Sequence, residues 1–242
     1  MENKINLNIE DVRSKLVDSF KPSNWHSILK TFIMSEDFEK VLKELETIVN
    51  DGKRFTPPLK QVFRAFQECK FDDLNVIIVG QDPYPQIGVA DGIAFSCGNT
   101  KTKEASLRFI HKAIAETVYN NTKDPKELNP DLTPVANQGV LLLNTSLTTE
   151  IGKIGRHFPI WEPFITFLLD MLNAQDKKFI FVFLGAKARQ FEELIDEDKH
   201  VILRASHPAS AAYAHLKMWD CDDVFNKINN ELIVQKKLPI IW

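Results

Sequence analysis

Four short, almost continuous apolar runs limit how this chain can fold: Val76–Val79, Val140–Leu143, Phe179–Leu184 and Val201–Leu203. Runs of this length that are apolar at successive residues, and not only at alternate ones, fit strands covered on both faces, as in a parallel sheet. The segments between them carry apolar residues at helical spacing. Leu107, Ile110, Ile114 and Val118 form one stripe, and Trp161, Phe164, Leu168 and Met171 form another behind Pro159 and Pro163. Phe191, Leu194 and Ile195 suggest a third helix, and Val224, Phe225, Ile228 and Leu232 continue the alternation. Strand and helix in turn predict an α/β fold with crossover helices around a buried parallel sheet. The first third reads as helical. Phe38, Val41, Leu42, Leu45, Ile48 and Val49 mark one face behind Ser35, with Glu36 and Asp37 in the first turn. Pro57-Pro58 then opens a second helix carrying Leu59, Val62, Phe63 and Phe66.

No repeat, low-complexity tract or long linker divides the 242 residues, so a single domain is expected. The apolar fraction of 44% and charged fraction of 26% suit a globular core. A net charge of −3 gives no global nucleic-acid signature, although a local basic face can steer a phosphate backbone on an acidic protein. The start, MENKINLNIEDVRSKL, has no apolar core of a leader, and no run is long enough to span a bilayer. A soluble, cytoplasmic protein with no membrane association is expected. Cys69, Cys97 and Cys221 are odd in number and lack CxxC pairing, which predicts reduced thiols without a disulfide framework or structural zinc.

The polar residues at the end of each apolar run are more informative than the runs themselves. The first run leads into Gly80-Gln81-Asp82-Pro83-Tyr84-Pro85, the second into Asn144, the third into Gly185-Ala186-Lys187 and the fourth into Ser206-His207-Pro208. In a parallel sheet the carboxyl ends share one edge, where α/β proteins place their sites. Asp82, Asn144 and His207 should therefore converge. A hydrolase triad would need a nucleophile, and neither Gly-x-Ser-x-Gly nor a strand-end Cys is present. The P-loop, HExxH and zinc-deaminase signatures are absent as well. An anionic group, an amide, an imidazole and nearby aromatics (Tyr84, Phe95) suit a flat polar ring, stacked on an aromatic and read at its edge, with positive charge developing near the Asp.

Taken in order, Gly80-Gln81-Asp82-Pro83-Tyr84-Pro85, Gly92-Ile93-Ala94-Phe95-Ser96, Gln138-Gly139-Val140-Leu141-Leu142-Leu143-Asn144 and His207-Pro208 resemble the signature of the family-1 uracil-DNA glycosylases. The Pro57-Pro58 lead-in and Trp161-Glu162-Pro163-Phe164 are similar too, so the likeness covers about residues 55–232. It implies a single-domain α/β/α sandwich over residues 1–242 with a central four-stranded, mainly parallel sheet. It also implies hydrolysis of the N-glycosidic bond of uracil in DNA after base flipping, with no cofactor and no metal. Asp82 would stabilise the oxocarbenium-like sugar and position water, and His207 would hydrogen-bond uracil O2. Asn144 would read the N3/O4 edge, Phe95 would stack, Tyr84 would exclude a 5-methyl group and Gln81 would line the O2 side. The partners implied are uracil-containing DNA, single- or double-stranded, and replication or repair proteins, met by a monomer.

For DNA contact the resemblance points to Ser106, Ala186, Lys187, Pro208, Ser210, Ala211 and Tyr213. His157 reads either as a helix-entry hydrogen bonder or as a phosphate contact, and Lys101, Lys103, Arg108 and Lys112 as a solvated helix face. The departures lie in the DNA-probing loops. Pro85 stands where most members carry His, the Pro-rich loop is Thr102-Lys103-Glu104-Ala105, and Gly-Ser becomes Gly185-Ala186. The family's leucine wedge after His-Pro is replaced by Ala209-Ser210-Ala211-Ala212-Tyr213, where Ala211 is too short to fill a flipped base's gap and Tyr213 or Leu216 would have to substitute. Two alternatives stay open beside uracil excision: a DNA-binding or replication-scaffold member with weak or lost excision, and a glycosylase for another damaged base.

Overall fold

The computed structural model describes residues 7–242; residues 1–6, part of the start expected to lack a leader, lie outside the described residues. In chain order the elements are α1 (Ile9–Ser19), α2 (His26–Ile33), α3 (Glu36–Asn50), β1 (Phe55–Thr56), α4 (Arg64–Glu68), β2 (Val76–Gly80), α5 (Ala105–Thr117) and α6 (Thr133–Ala136). They continue with β3 (Val140–Asn144), β4 (Thr149–Glu150), α7 (Phe158–Asn173), β5 (Ile180–Leu184), α8 (Ala186–Arg189), β6 (Val201–Ala205), α9 (Pro208–Tyr213) and α10 (Val224–Val234). Among the described residues no helix is long and apolar enough to cross a membrane.

All four expected strands form, and they pair in the order β3-β2-β5-β6, every pair parallel. Gly80 lies beside Asn144, and Leu184 beside Ala205, so the polar residues after each strand emerge at one level. The order also fixes the layers. The chain moves from β2 to β3 in one direction and from β3 to β5 in the other, so right-handed crossovers put α5 and α7 on opposite faces. α10 contacts both α5 and β6 on the first face, whereas α2 and α3 pack on α7. The reversal point lies between β2 and β5, where open α/β sheets leave a crevice.

Local chemistry accounts for the helices that frame this sheet. Ser35 caps α3 by accepting the Phe38 N–H at 3.3 Å, with Glu36, Asp37 and Glu39 in the first turn facing the positive end of the dipole. In α7, Pro159 sits where a missing N–H costs nothing, and Trp161, Phe164, Ile165 and Leu168 are buried. Phe164 is surrounded edge-on by Phe32, Phe63, Phe66 and Trp161, with ring centroids 5.2–5.9 Å apart. This cluster joins the amino-terminal helices to the sheet.

Two expected helices are broken, and for the same kind of reason. After Pro57-Pro58 the chain makes only a 3₁₀ turn, Leu59–Gln61, before the short α4. The Ala65 N–H is taken by the carbonyl of Gly92 at 3.2 Å, so the loop carrying Gly92 replaces one rung of a continuous helix. The stripe of Phe191, Leu194 and Ile195 divides into α8 and a 3₁₀ turn, Glu192–Leu194, where Glu192 is held by Arg204 of β6 at 2.9 Å. The ribbon of β1 with β4, pairing Phe55 with Glu150, has no alternating sequence pattern to announce it.

Because Phe164 is fully buried among four aromatic rings, Phe164→Ala should lower unfolding free energy by about 3–5 kcal/mol. Denaturant titration at unchanged m-value checks this, and a loss below about 1 kcal/mol would mean the cluster does not hold the layers together.

Candidate active site

Asp82, Asn144 and His207 line one cavity of about 410 Å³ at the carboxyl edge of the sheet, with Gln81, Tyr84 and Phe95. Two glycines let them meet. A Cβ at Gly80, the last residue of β2, would lie 2.8 Å from Asn144 Oδ1 and 2.8 Å from Phe95 Cζ. One at Gly185, after β5, would lie 2.7 Å from His207 Cβ. Contacts this short are not tolerated, so both strand ends must be bare for the side chains from neighbouring strands to close on the cavity.

Each side chain is fixed by its own set of bonds. Asp82 Oδ2 accepts the Gly155 N–H at 2.7 Å. Burial raises its carboxyl pKa above the usual range, and the Gly155 N–H and the Thr149 hydroxyl pull it back. The loop after β3 is buttoned onto the Gln81 carbonyl by the Ser146 N–H at 3.1 Å and the Thr145 hydroxyl at 2.7 Å. His207 Nδ1 accepts the Ala209 N–H at 3.2 Å across the start of α9. Burial lowers its pKa to about 4, so the ring is neutral near pH 7. With Nδ1 accepting, the single ring proton sits on Nε2.

Phe95 stands in the left-handed region at φ 65°, where a bulky residue costs about 1–3 kcal/mol. The loop around it is tied down accordingly. Its carbonyl accepts the Tyr84 hydroxyl at 3.1 Å, and the Ala94 N–H reaches the Leu142 carbonyl at 3.1 Å. Burial raises the Tyr84 phenol well above its usual pKa, so it stays a donor. Asp91, fully buried, gathers the rest of the loop: it accepts the Ile93 and Gly98 N–H groups and the Ser96 hydroxyl, at 3.1, 2.9 and 2.6 Å. Arg64 pairs with it at 3.0 Å. The Phe95 ring then tilts against His207, centroids 5.8 Å apart.

Sequence reasoning missed Asp91 and Gly155. A carboxylate inside Val89-Ala90-Asp91-Gly92-Ile93 was a usable signal, because an acid among apolar residues needs several donors. Gly155 acts through a backbone N–H and leaves no side-chain trace. His157 resolves to the structural reading: it is buried, and its Nδ1 pairs with the Thr148 hydroxyl at 2.9 Å, which in turn accepts the Trp161 indole N–H at 2.7 Å. Lys103 and Lys112 of the basic face are also engaged, donating to the Pro125 and Lys217 carbonyls at 2.6 and 2.8 Å.

The residues expected at DNA divide. Ala186, Lys187, Ser210 and Tyr213 are exposed, Tyr213 by 75%. Ala211 is 1% exposed and points into the core where α9 packs on α5, so its side chain cannot meet a duplex. Pro208, in the first turn of α9, is buried likewise, and Ser106 is buried at the cavity wall. Pro208 and Ala211 turn inward because the segment after His207 is helical, and Ser106 is covered within the first turn of α5. Among the described residues no group of three or more His, Cys, Asp or Glu could hold a metal ion.

The chain as a whole is similar to known proteins. Residues 66–233 match the family model described as the uracil DNA glycosylase superfamily. The chain belongs to that superfamily. Its relatives include the uracil-DNA glycosylases of Streptococcus thermophilus, 34% identical over 91% of this chain and 98% of that one, and of Pasteurella multocida, 35% identical over 90% and 96%. The crystal structure of mimivirus uracil-DNA glycosylase superposes with a TM-score of 0.83 at 27% identity, covering 99% of this chain and 90% of that one. A mimivirus variant of the enzyme in complex with UGI gives 0.82 at 28%, over 99% and 91%.

The histidines of this superfamily member give a pH prediction. Burial holds His111, His157 and His207 at about 3, 4 and 4 against an ordinary 6.5. Below pH 6.5 the unfolded chain binds protons that the folded chain refuses, so their contribution to stability is complete above 6.5 and is lost as pH falls toward 4. Asp82, whose pKa burial raises, acts in the opposite sense, as one group against three. Unfolding free energy should therefore drop between pH 7 and pH 5, and nitrogen shifts of His207 should report a neutral, Nε2-protonated ring at pH 5.5. A charged ring there would refute the assignment.

Proposed function

We propose that the chain removes uracil from DNA by hydrolysing the N-glycosidic bond of a flipped nucleotide, leaving an abasic site in an unbroken strand. The observation that carries this is the meeting of an Asp, an Asn and a neutral His around one cavity, with His207 Nδ1 committed to the Ala209 N–H. A base within a duplex is unreachable, so it must leave the stack to enter such a cavity. Phe95 offers a face to the ring and Asn144 an amide to its N3/O4 edge. Tyr84, anchored on the Phe95 carbonyl, fills the space beside C5, where thymine carries its methyl group.

As the bond to the sugar lengthens, negative charge gathers on the base and positive charge on the sugar. The Nε2–H of a neutral imidazole is a donor already aimed at the developing oxyanion at O2. Asp82 supplies the opposite charge for the oxocarbenium-like sugar and a seat for water. Its raised pKa reflects a carboxylate partly stripped of water, for which a cationic transition state is the missing partner. Preorganised groups of this kind account for most of the acceleration in such sites. No lysine belongs to this set, so no Schiff-base step is expected.

In this reading the chain acts as one domain, as its single contiguous core supports. It works as a cytoplasmic monomer on single- or double-stranded DNA, beside replication or repair proteins and without a cofactor. The exposed residues Lys187, Ser210 and Tyr213 face the DNA, and Tyr213, at the open end of α9, takes the place of the leucine wedge.

Release of free uracil from a labelled oligonucleotide in EDTA tests the activity. Asp82→Asn and His207→Leu should each lower turnover about a hundredfold or more with DNA binding largely kept. Asn144→Ala should cost about 1–3 kcal/mol for each base group left unpaired, and Tyr84→Ala should gain thymine excision. Equal losses of binding and turnover would sink the assignment.

Unstacking costs a few kcal/mol in a duplex and much less in a single strand, so the wedge shows in their ratio. Tyr213→Ala should lower duplex kcat/KM about tenfold relative to single strand, on the order of 1.4 kcal/mol. Ala211→Leu, overpacking a buried position, should instead destabilise the fold by about 1–3 kcal/mol without raising the ratio. An unmoved ratio for Tyr213→Ala would remove the wedge.

A further inference from the structure

Behind Phe95 lies a second cavity, of about 220 Å³, on the face of the sheet covered by α5 and α10. Phe95 and Leu142 wall both this cavity and the first. Its other walls are chiefly apolar, with Ile110, Ile114, Val135 and Phe225 among them. Four polar side chains interrupt that lining; Asn129 accepts the Asp131 N–H and Asp131 accepts from Thr133 and pairs with Arg64, which leaves two. His111 is 2% exposed, and its Nδ1 has no hydrogen-bond partner. Trp242 also lines this cavity, and its indole Nε1 is buried without a partner.

A buried donor or acceptor left unpaired is costly, and two beside one void are not explained by packing. They are explained by an occupant. Its size is bounded, since an apolar cavity of about 150 Å³ admits benzene. Its polarity is bounded as well. The indole Nε1–H can only donate, while His111 Nδ1 accepts when the ring proton is on Nε2. One group that accepts from the first and donates to the second is a hydroxyl. Burial pushes the His111 pKa down to about 3, so the imidazole is neutral and no anionic group is called for. Water could bridge the two polar atoms but would leave the apolar remainder without contacts.

We propose that this cavity is a second ligand site and that it takes a small aromatic alcohol, a single ring bearing one hydroxyl between His111 and Trp242. Its ring would lie against Ile114, Val135 and the back of Phe95, supporting from behind the residue held in a strained conformation. The site is separate from the catalytic cavity, and uracil release plays no part in its test.

Phenol, with toluene as the same ring lacking the hydroxyl, is titrated into the intact chain while methyl resonances of Ile114 and Val135 are followed. Phenol should saturate these shifts with a Kd at least about tenfold below that of toluene, the factor expected for one buried hydrogen-bonding group. Val135→Phe, which fills the space, should abolish the saturable shifts, and His111→Leu should bring phenol to the level of toluene. At a phenol concentration ten times Kd, Tm should rise by about 4 °C. Absence of saturable shifts, as for a cavity holding ordered water only, would overturn the proposal. So would equal affinities of phenol and toluene for the unaltered chain, or saturation that survives Val135→Phe. If His111→Leu fails to fold, the comparison of the two ligands on the unaltered chain still decides.

Discussion

The site depends on a close approach that a single methyl group would prevent. Gly80 ends β2 in the middle of the sheet, and the space its missing Cβ would occupy is shared by Asn144 Oδ1 from the next strand and the Phe95 ring from the loop. Gly185 does the same for His207 on the other side. With these positions bare, groups from three strand ends and one loop can face a common cavity of about 410 Å³. The parallel register, the tied loop around Asp91 and the crossing of α9 all serve that convergence.

Burial then sets the chemistry. The same loss of water that keeps His207 neutral raises the pKa of Asp82, and the two effects are complementary. A neutral imidazole can donate to a growing negative charge without having repelled protons from its surroundings, and a poorly hydrated carboxylate gains most from a nearby cation. Hydrogen bonds from backbone groups, Ala209 N–H to His207 and Gly155 N–H to Asp82, aim both side chains without adding charge. Geometry and electrostatics thus come from one source, a desolvating crevice at the reversal point of the sheet.

The surface around that crevice obeys different rules. The segment from Pro208 to Tyr213 folds as a helix against α5, which hides Ala211 and turns Ser210 and Tyr213 outward. The chain therefore keeps its cavity residues on strand ends, where the sheet fixes them. Its outward apolar side chain sits at a helix terminus followed by exposed Leu216 and Met218.

Much of this was legible in the sequence because it depends on local pattern. Apolar runs gave the four strands, the three-and-four spacing gave α3, α5, α7 and α10, and the polar residue after each strand placed Asp82, Asn144 and His207 at one edge, since a parallel sheet leaves no other arrangement. Other features required distant partners. The helix after Pro58 breaks because the Gly92 carbonyl, from a loop far along the chain, takes the Ala65 N–H. The neutral ring of His207, the raised pKa of Asp82 and the inward turn of Ala211 come from desolvation and packing, which exist only once separate segments meet. Periodicity fixes which residues lie on an element; what each of them touches, and how much water it keeps, is decided by the elements packed against it.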